Sequence, residues 1–230
     1  MGKANKVKLE YRDAVEMVDL IQTLKDIADN KYYTLTGKRD TFRRFTETFV
    51  EFFRMVNKTK ATHALLANDN PTVGILAVTG EGSFLGGFNN KILKTAIVEK
   101  EKHSDSRFIG VGEQSLDRLK PYTPDMKMFA RMEAKGMYKT AIDVKDYLVD
   151  EVVNGRLGKV IVCYSWPKSF DIQKPFIAQI LPCEDLLSKQ SQIPDMFGNI
   201  IEESDPMEVI GYLCNLWTTT RLYEIFLDTI

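Results

Sequence analysis

The chain is predicted to be an open, Rossmann-like α/β domain flanked by long N- and C-terminal helices that form an antiparallel coiled coil. Three observations lead there. One unbroken heptad series fills the first quarter of the sequence, short apolar runs alternate with helical patterns in the middle, and a second heptad series fills the tail. The expected division is a coiled-coil helix over residues 1–58, an α/β domain over 59–205, and an incomplete coiled-coil helix over 206–230.

The first series runs through Ala14, Met17, Ile21, Leu24, Ala28, Lys31, Leu35, Lys38, Phe42, Phe45, Phe49, Phe52 and Val56, and only Lys31 and Lys38 are polar. Steps of three and four average 3.5 residues per turn, which keeps one seam against one neighbour. A helix from Leu9 to Asn57 would extend about 70 Å. That exceeds the diameter of a domain this size, so part of the rod is expected to stand clear and to seek a partner.

Next comes Thr59 to Asn70, closing in the turn-rich Asn68-Asp69-Asn70-Pro71. Val73 to Val78 is almost wholly apolar, as a strand buried on both faces requires. A glycine-rich turn, Gly80 to Gly87, leads into a helix from Asn89 with Ile92, Leu93, Ala96 and Ile97 on one side. Arg107 to Val111 reads as a second buried strand, and Glu113 to Lys120 as a short helix stopped by Pro121. Tyr138 to Val153 has a helical period through Ile142, Val149, Val152 and Val153, with Asn154-Gly155 as its stop. Val160 to Tyr164 and Pro175 to Leu181 are predicted to pair as an antiparallel hairpin. Pro182 to Pro206 has no period and reads as a long connection.

The tail series, Val209, Leu213, Leu216, Thr220, Tyr223, Leu227 and Ile230, is the natural partner of the first helix but is shorter. It ends at the last residue without a Gly, Asn or Pro to stop it, so a truncated helix is expected. Burying one Leu, Ile or Phe side chain stabilises by about 1.5–3 kcal/mol. Leaving half the first stripe wet would forgo about 10 kcal/mol, as much as the stability of a whole domain. Other subunits are expected to clasp it.

Composition narrows the chemistry. The 230 residues carry a formal net charge of -1, so no overall field draws nucleic acid or an anionic membrane. Clusters such as Lys38-Arg39 and Arg43-Arg44 read as a solvated helix face. No apolar run is long enough for direct membrane insertion, and Met1 to Lys8 lacks the apolar stretch of a secretory signal. Three dispersed cysteines (Cys163, Cys183 and Cys214) offer no CxxC pair, so neither a metal site nor a disulfide frame is expected. A reducing, cytoplasm-facing compartment is the default. His63 and His103 are the only imidazoles, which speaks against a hydrolytic centre, and His103 is expected to be exposed.

The stretch Thr79 to Asn90 sits between strand and helix, where α/β proteins hold phosphate. Neither GxxxxGK[ST] nor GxGxxG is present, so Gly86-Gly87 is read as permitting a tight turn and Asn89 as capping the helix. Gly86, Gly87, Phe88 and Asn89 are therefore assigned to local architecture.

A strand running into LGGFNNKILKTA resembles the gamma subunit of F-type ATP synthases, which has a strand, then GLCGGFN, then a helix. Lys159, Tyr164, Ser169, Gln173, Pro175, Leu181 and Pro182 fall where that family carries K…Y…S…Q-x-P…LLP. Leu222, Tyr223, Leu227, Asp228 and Thr229 are similar to its YLxxQIYxALLES, and Thr23 to Lys31 to its AMxMVAAxK. The departures are a glycine loop one residue longer without the family's Asp-Arg, acids at Asp26 and Asp29, and Ser165 and Pro167 in place of Asn and Phe. The sequence also stops where the family continues with SExxxRxxAM. The reading is a diverged member whose C-terminal helix is incomplete.

The resemblance implies a central-stalk rotor subunit that is itself non-catalytic and carries no cofactor. It implies alpha and beta subunits around the coil, an epsilon subunit and a membrane c-ring at the α/β domain, and no nucleic acid. Such a subunit couples ion translocation to ATP synthesis or hydrolysis, on the cytoplasmic or mitochondrial-matrix face of a membrane. The coupling surface is placed at Leu24, Lys25, Ile27, Ala28 and Lys31, with both lysines facing the ring. Two alternatives stay open: a small α/β enzyme or nucleotide-binding module using the glycine turn, and a scaffold that homodimerises through its long helix.

Overall fold

The computed structural model describes residues 3–56, 63–80, 86–123, 126–129, 136–169, 172–188 and 205–230. The chain forms two compact units, Met1–Asp40 and Thr41–Ile230. The first is helical, the N-terminal part of α1 (Lys3–Val56). The heptad positions Phe42, Phe45, Phe52 and Val56 lie outside the described side chains.

The second unit is built on a five-stranded sheet of order β3-β2-β1-β4-β5. Its strands are β1 (Val73–Val78), β2 (Ser106–Val111), β3 (Lys127–Phe129), β4 (Lys159–Pro167) and β5 (Gln173–Leu181). β1 is central and parallel to both neighbours, with Val73 opposite Ser106 on one side and Lys159 on the other. All six of its residues are buried, which is why its sequence shows no alternation. β4 and β5 pair antiparallel, as the hairpin reading expected, with Tyr164 opposite Phe176.

The helices are α2 (Gly86–Glu101), α3 (Glu113–Leu119), α4 (Met137–Val153), α5 (Asp185–Ser188) and α6 (Pro206–Thr229), with a 3-10 turn at Lys120–Tyr122 that contains Pro121. β3 and α5 are the additions to the sequence reading, and three or four residues are too few to display a period. Residues 57–62, 81–85 and 189–204, which belong to the expected connections and the glycine turn, lie outside the described residues.

α2 buries Ile92, Leu93 and Ala96 against Val73, Ile75 and Ala77 of β1, Phe108 of β2 and Ile161 of β4, with Ile97 half-buried beside them. That is the predicted face. α4 differs: its buried stripe is Met137, Ala141, Val144, Leu148 and Val152, while Val153 is exposed and Ile142 and Val149 only half-buried. Apolar residues flank both margins of this helix, and α6 packs against it. Asn154 and Gly155, at φ +69°, end the helix as expected.

α6 starts where Asp205 accepts a hydrogen bond from the Met207 amide at 2.9 Å, with Pro206 in the first turn. It packs on α4 and on β4. The flanking helices meet where the rings of Phe49 on α1 and Trp217 on α6 stack at 5.7 Å. Burial on α6 exceeds the heptad seam, since Cys214, Thr218, Thr219, Leu222, Ile225 and Phe226 are also covered. Three successive buried threonines are tolerated because Thr218, Thr219 and Thr220 each donate to the carbonyl four residues back, at 2.7, 2.9 and 2.9 Å. The helix is thus an integral layer of the α/β unit.

Candidate partner-binding surface

Within the first unit, every described side chain from Asn5 to Ala28 is exposed. The apolar ones are included: Met17 is 62% exposed, Val18 64%, Leu20 60%, Ile21 59%, Leu24 57% and Ile27 60%. At about 100° per residue these six spread over about half the helix circumference, because Val18, Leu20 and Ile27 lie off the heptad seam. Asp19, Gln22, Thr23, Asp26 and Asn30 occupy the opposite side. A single coiled-coil partner covers a narrow seam; a stripe this broad suits more than one neighbour.

The predicted residues fall into this surface. Leu24, Ile27, Ala28 and Lys31 lie within about 100° of one another, and Lys25 stands about 60° beyond Ala28 at the margin. All five are exposed. Val18 and Leu20 are the additions, and their signal was available as apolar residues at non-heptad positions. Local bonds brace the helix: Gln22 donates to Asp26 at 2.8 Å, and Lys6–Glu10 and Arg12–Glu16 pair at i,i+4. Each such pair contributes about 0.2–0.5 kcal/mol to an isolated helix, far less than burial of the stripe would.

The glycine turn is arranged differently from the sequence reading. α2 begins at Gly86, so Asn89 lies inside the helix rather than at its cap. Its buried amide clasps the Gly80 backbone: Gly80 N–H donates to Oδ1 at 3.1 Å, and Nδ2 donates to the Gly80 carbonyl at 2.9 Å. Gly87 is also helical, and a Cβ there would meet nothing within 4 Å. The local-architecture role therefore rests on Asn89. Beside it, Thr79 and Ser115 are buried, with hydroxyls 3.1 Å apart and each bonded to the Val111 carbonyl.

Elsewhere the polar chemistry is internal. The three cysteines are free and buried. Burial pushes the Cys163 thiol up to about 12, and a hydrogen bond with Cys183, together with burial, raises Cys214 as well. Such thiols are poor nucleophiles. His103 is half-buried rather than exposed, its Nε2 3.4 Å from Glu99. A cavity of about 160 Å³ is lined by Gln179, Cys183, Glu184, Asp185, Trp217 and Arg221. There the Arg221 guanidinium lies over the Trp217 ring and donates to Glu224 at 2.6 Å. Among the described residues no group of three or more His, Cys, Asp or Glu could hold a metal, and no helix is long and apolar enough to cross a membrane.

A long helix with a broad uncovered apolar flank, joined in sequence to a well-packed α/β unit, defines an assembly subunit. A family model described as ATP synthase matches residues 6–230. The chain belongs to the ATP synthase gamma family. It is 20% identical over 238 aligned positions to the ATP synthase gamma chain of Desulfotalea psychrophila, covering 99% of this chain and 81% of that one. It is 29% identical over 174 positions to the chloroplastic gamma chain of Pisum sativum, covering 71% of this chain and 45% of the pea protein. In fold it is similar to a chain from the Tetrahymena thermophila mitochondrial ATP synthase central stalk and c-ring, with a TM-score of 0.66, 17% identity, and coverage of 91% and 92%.

Proposed function

We propose that this chain is the central-stalk rotor subunit of a rotary F-type ATP synthase or ATPase, a non-catalytic part that couples ion translocation to nucleotide chemistry on neighbouring alpha and beta subunits. Membership of the gamma family supports this reading. The physical observation that carries it is the exposed stripe from Met17 to Ile27. Burying its six large apolar side chains would contribute about 10 kcal/mol, enough to hold a helix that is marginal in isolation. The same surface gives a ring of subunits something to grip on several sides.

The remaining partners follow from the same reading. An epsilon subunit and a membrane c-ring would lie against the α/β unit, placing the protein peripherally on the membrane face that carries the catalytic head, cytoplasmic or mitochondrial-matrix. Residues 1–58, 59–205 and 206–230 then act as descending helix, base and ascending helix. Leu24, Ile27 and Ala28 supply apolar contact to the ring, and Lys25 and Lys31 meet its carboxylates. The test is reconstitution with alpha and beta subunits. Changing Lys25 and Lys31 together to Ala lowers ATP turnover at least severalfold if they face the ring, and unchanged turnover removes them from the coupling surface.

A further inference from the structure

His63 is a half-buried titratable group that the rotor reading leaves unused, and it joins three parts of the second unit. Its carbonyl accepts from the Leu66 and Ala67 amides at 2.8 and 3.1 Å, closing a turn. Its Nδ1 accepts from the Leu65 amide at 3.1 Å, so the imidazole caps that turn much as an Asx side chain does. The Leu65 carbonyl in turn accepts from the Cys183 amide at 2.7 Å, tying the turn to the end of β5. The far edge of the ring lies on α6: a Cβ at Gly211 would stand 3.1 Å from Nε2, a tight contact that any larger residue there would press on.

The bond to Leu65 requires Nδ1 without a proton. A protonated ring would aim N–H at N–H, lose the cap and place a cation against helix backbone. We propose that His63 is a pH-sensitive clasp, closed while neutral, that holds the turn at residues 63–67 against the first half of α6 and releases it on acidification. Among the described residues, the groups facing it offer no buried counter-charge. On α6, Glu208 lies one turn before Gly211 and is exposed, as is Tyr212, while Cys214 is buried. At the end of β5 stands the buried Cys183, and the turn from Ala64 to Asn68 carries no ionisable side chain. Burial alone lowers the His63 pKa from its ordinary value. The direction agrees with the geometry, since each unit of lowering is a factor of ten favouring the neutral ring.

The sign follows directly. A histidine whose folded pKa is depressed binds its proton more tightly when released, so the clasp is closed above about pH 6.5 and weakens as pH falls below it. The test is hydrogen exchange with mass spectrometry on the full chain at pH 7.5 and 5.5, corrected for intrinsic exchange rates. Peptides over 63–70 and 206–216 should lose protection severalfold at the lower pH, while the β1 peptide is unchanged. In His63→Asn, which keeps an acceptor near Nδ1 but cannot ionise, protection should be independent of pH. Equal pH dependence in both proteins, or none in the wild type, overturns the proposal. A second measurement needs no folded His63 variant: the two imidazole resonances are titrated by NMR and told apart with His103→Asn. A His63 midpoint at or above 6.5 overturns the proposal, and one below it supports the clasp.

Discussion

Asn89 gives Gly80 the donor and acceptor that a neighbouring strand would otherwise have provided, from a side chain that is 1% exposed. Removing it strands a buried N–H and a buried C=O, each costing about 1–3 kcal/mol. Asn89→Ala should therefore lower the free energy of unfolding by about 3 kcal/mol in a urea titration; a change below about 0.5 kcal/mol would mean that water replaces both bonds. Gly87 predicts the opposite. It is helical and its missing Cβ faces open space, so Gly87→Ala should leave stability equal or raise it by about 0.5–1 kcal/mol. A loss in the same titration would show that the turn does need this glycine. At Gly158 the space is already taken by backbone: a Cβ there would overlap the Asn70 carbonyl, and Gly158→Ala should cost about 2 kcal/mol or more by thermal unfolding. Asn89 was legible in the sequence as part of the local architecture, but its partner Gly80 was not, nor was the space at Gly87 or Gly158. A GG pair advertises backbone freedom whether or not the fold uses it, whereas the approach of Asn70 to Gly158 depends on segments far apart in the chain.

Periodicity located the elements better than it located their faces. α1, α2 and α6 were legible because apolar spacing of three and four persists over several turns, and β1 because a centrally paired strand needs no polar side. The period through Ile142, Val149, Val152 and Val153 located α4 but not its buried stripe, because several apolar residues compete around that helix. The heptad series on α6 understated its burial, since Thr218 and Thr219 look polar in sequence but satisfy their hydroxyls within the helix. On α1 the seam was legible and its width was not, because a heptad template discards Val18, Leu20 and Ile27. The width leads to a prediction at this scale. Ile27→Asp sits at a position already 60% exposed, so the isolated chain should unfold at the same urea concentration, within about 0.5 kcal/mol. Assembly with alpha and beta subunits, followed by co-sedimentation, should nonetheless weaken at least tenfold. Destabilisation of the free chain would mean that Ile27 is covered within its own molecule, and undiminished assembly would mean that partners grip elsewhere.

At the scale of the whole molecule, chain length, composition and motif order were enough to indicate an assembly subunit, because an ordered set of weak matches is specific even where each alone is not. The candidate surface at Leu24, Lys25, Ile27, Ala28 and Lys31 was reached through the resemblance, and its exposure supplies the physical reason for a partner. What sequence could not supply is how neighbours share that flank, since contact between chains leaves no period in one of them. The central claim is that the stripe from Met17 to Ile27 is buried only by other subunits of an ATP synthase. Purification of the native complex through this chain, with mass spectrometric identification of everything that accompanies it, tests that claim most directly. Alpha and beta subunits should co-purify, with cross-links from Lys25 or Lys31 to both; recovery of the chain alone, or of a pair of its own copies, would contradict the account.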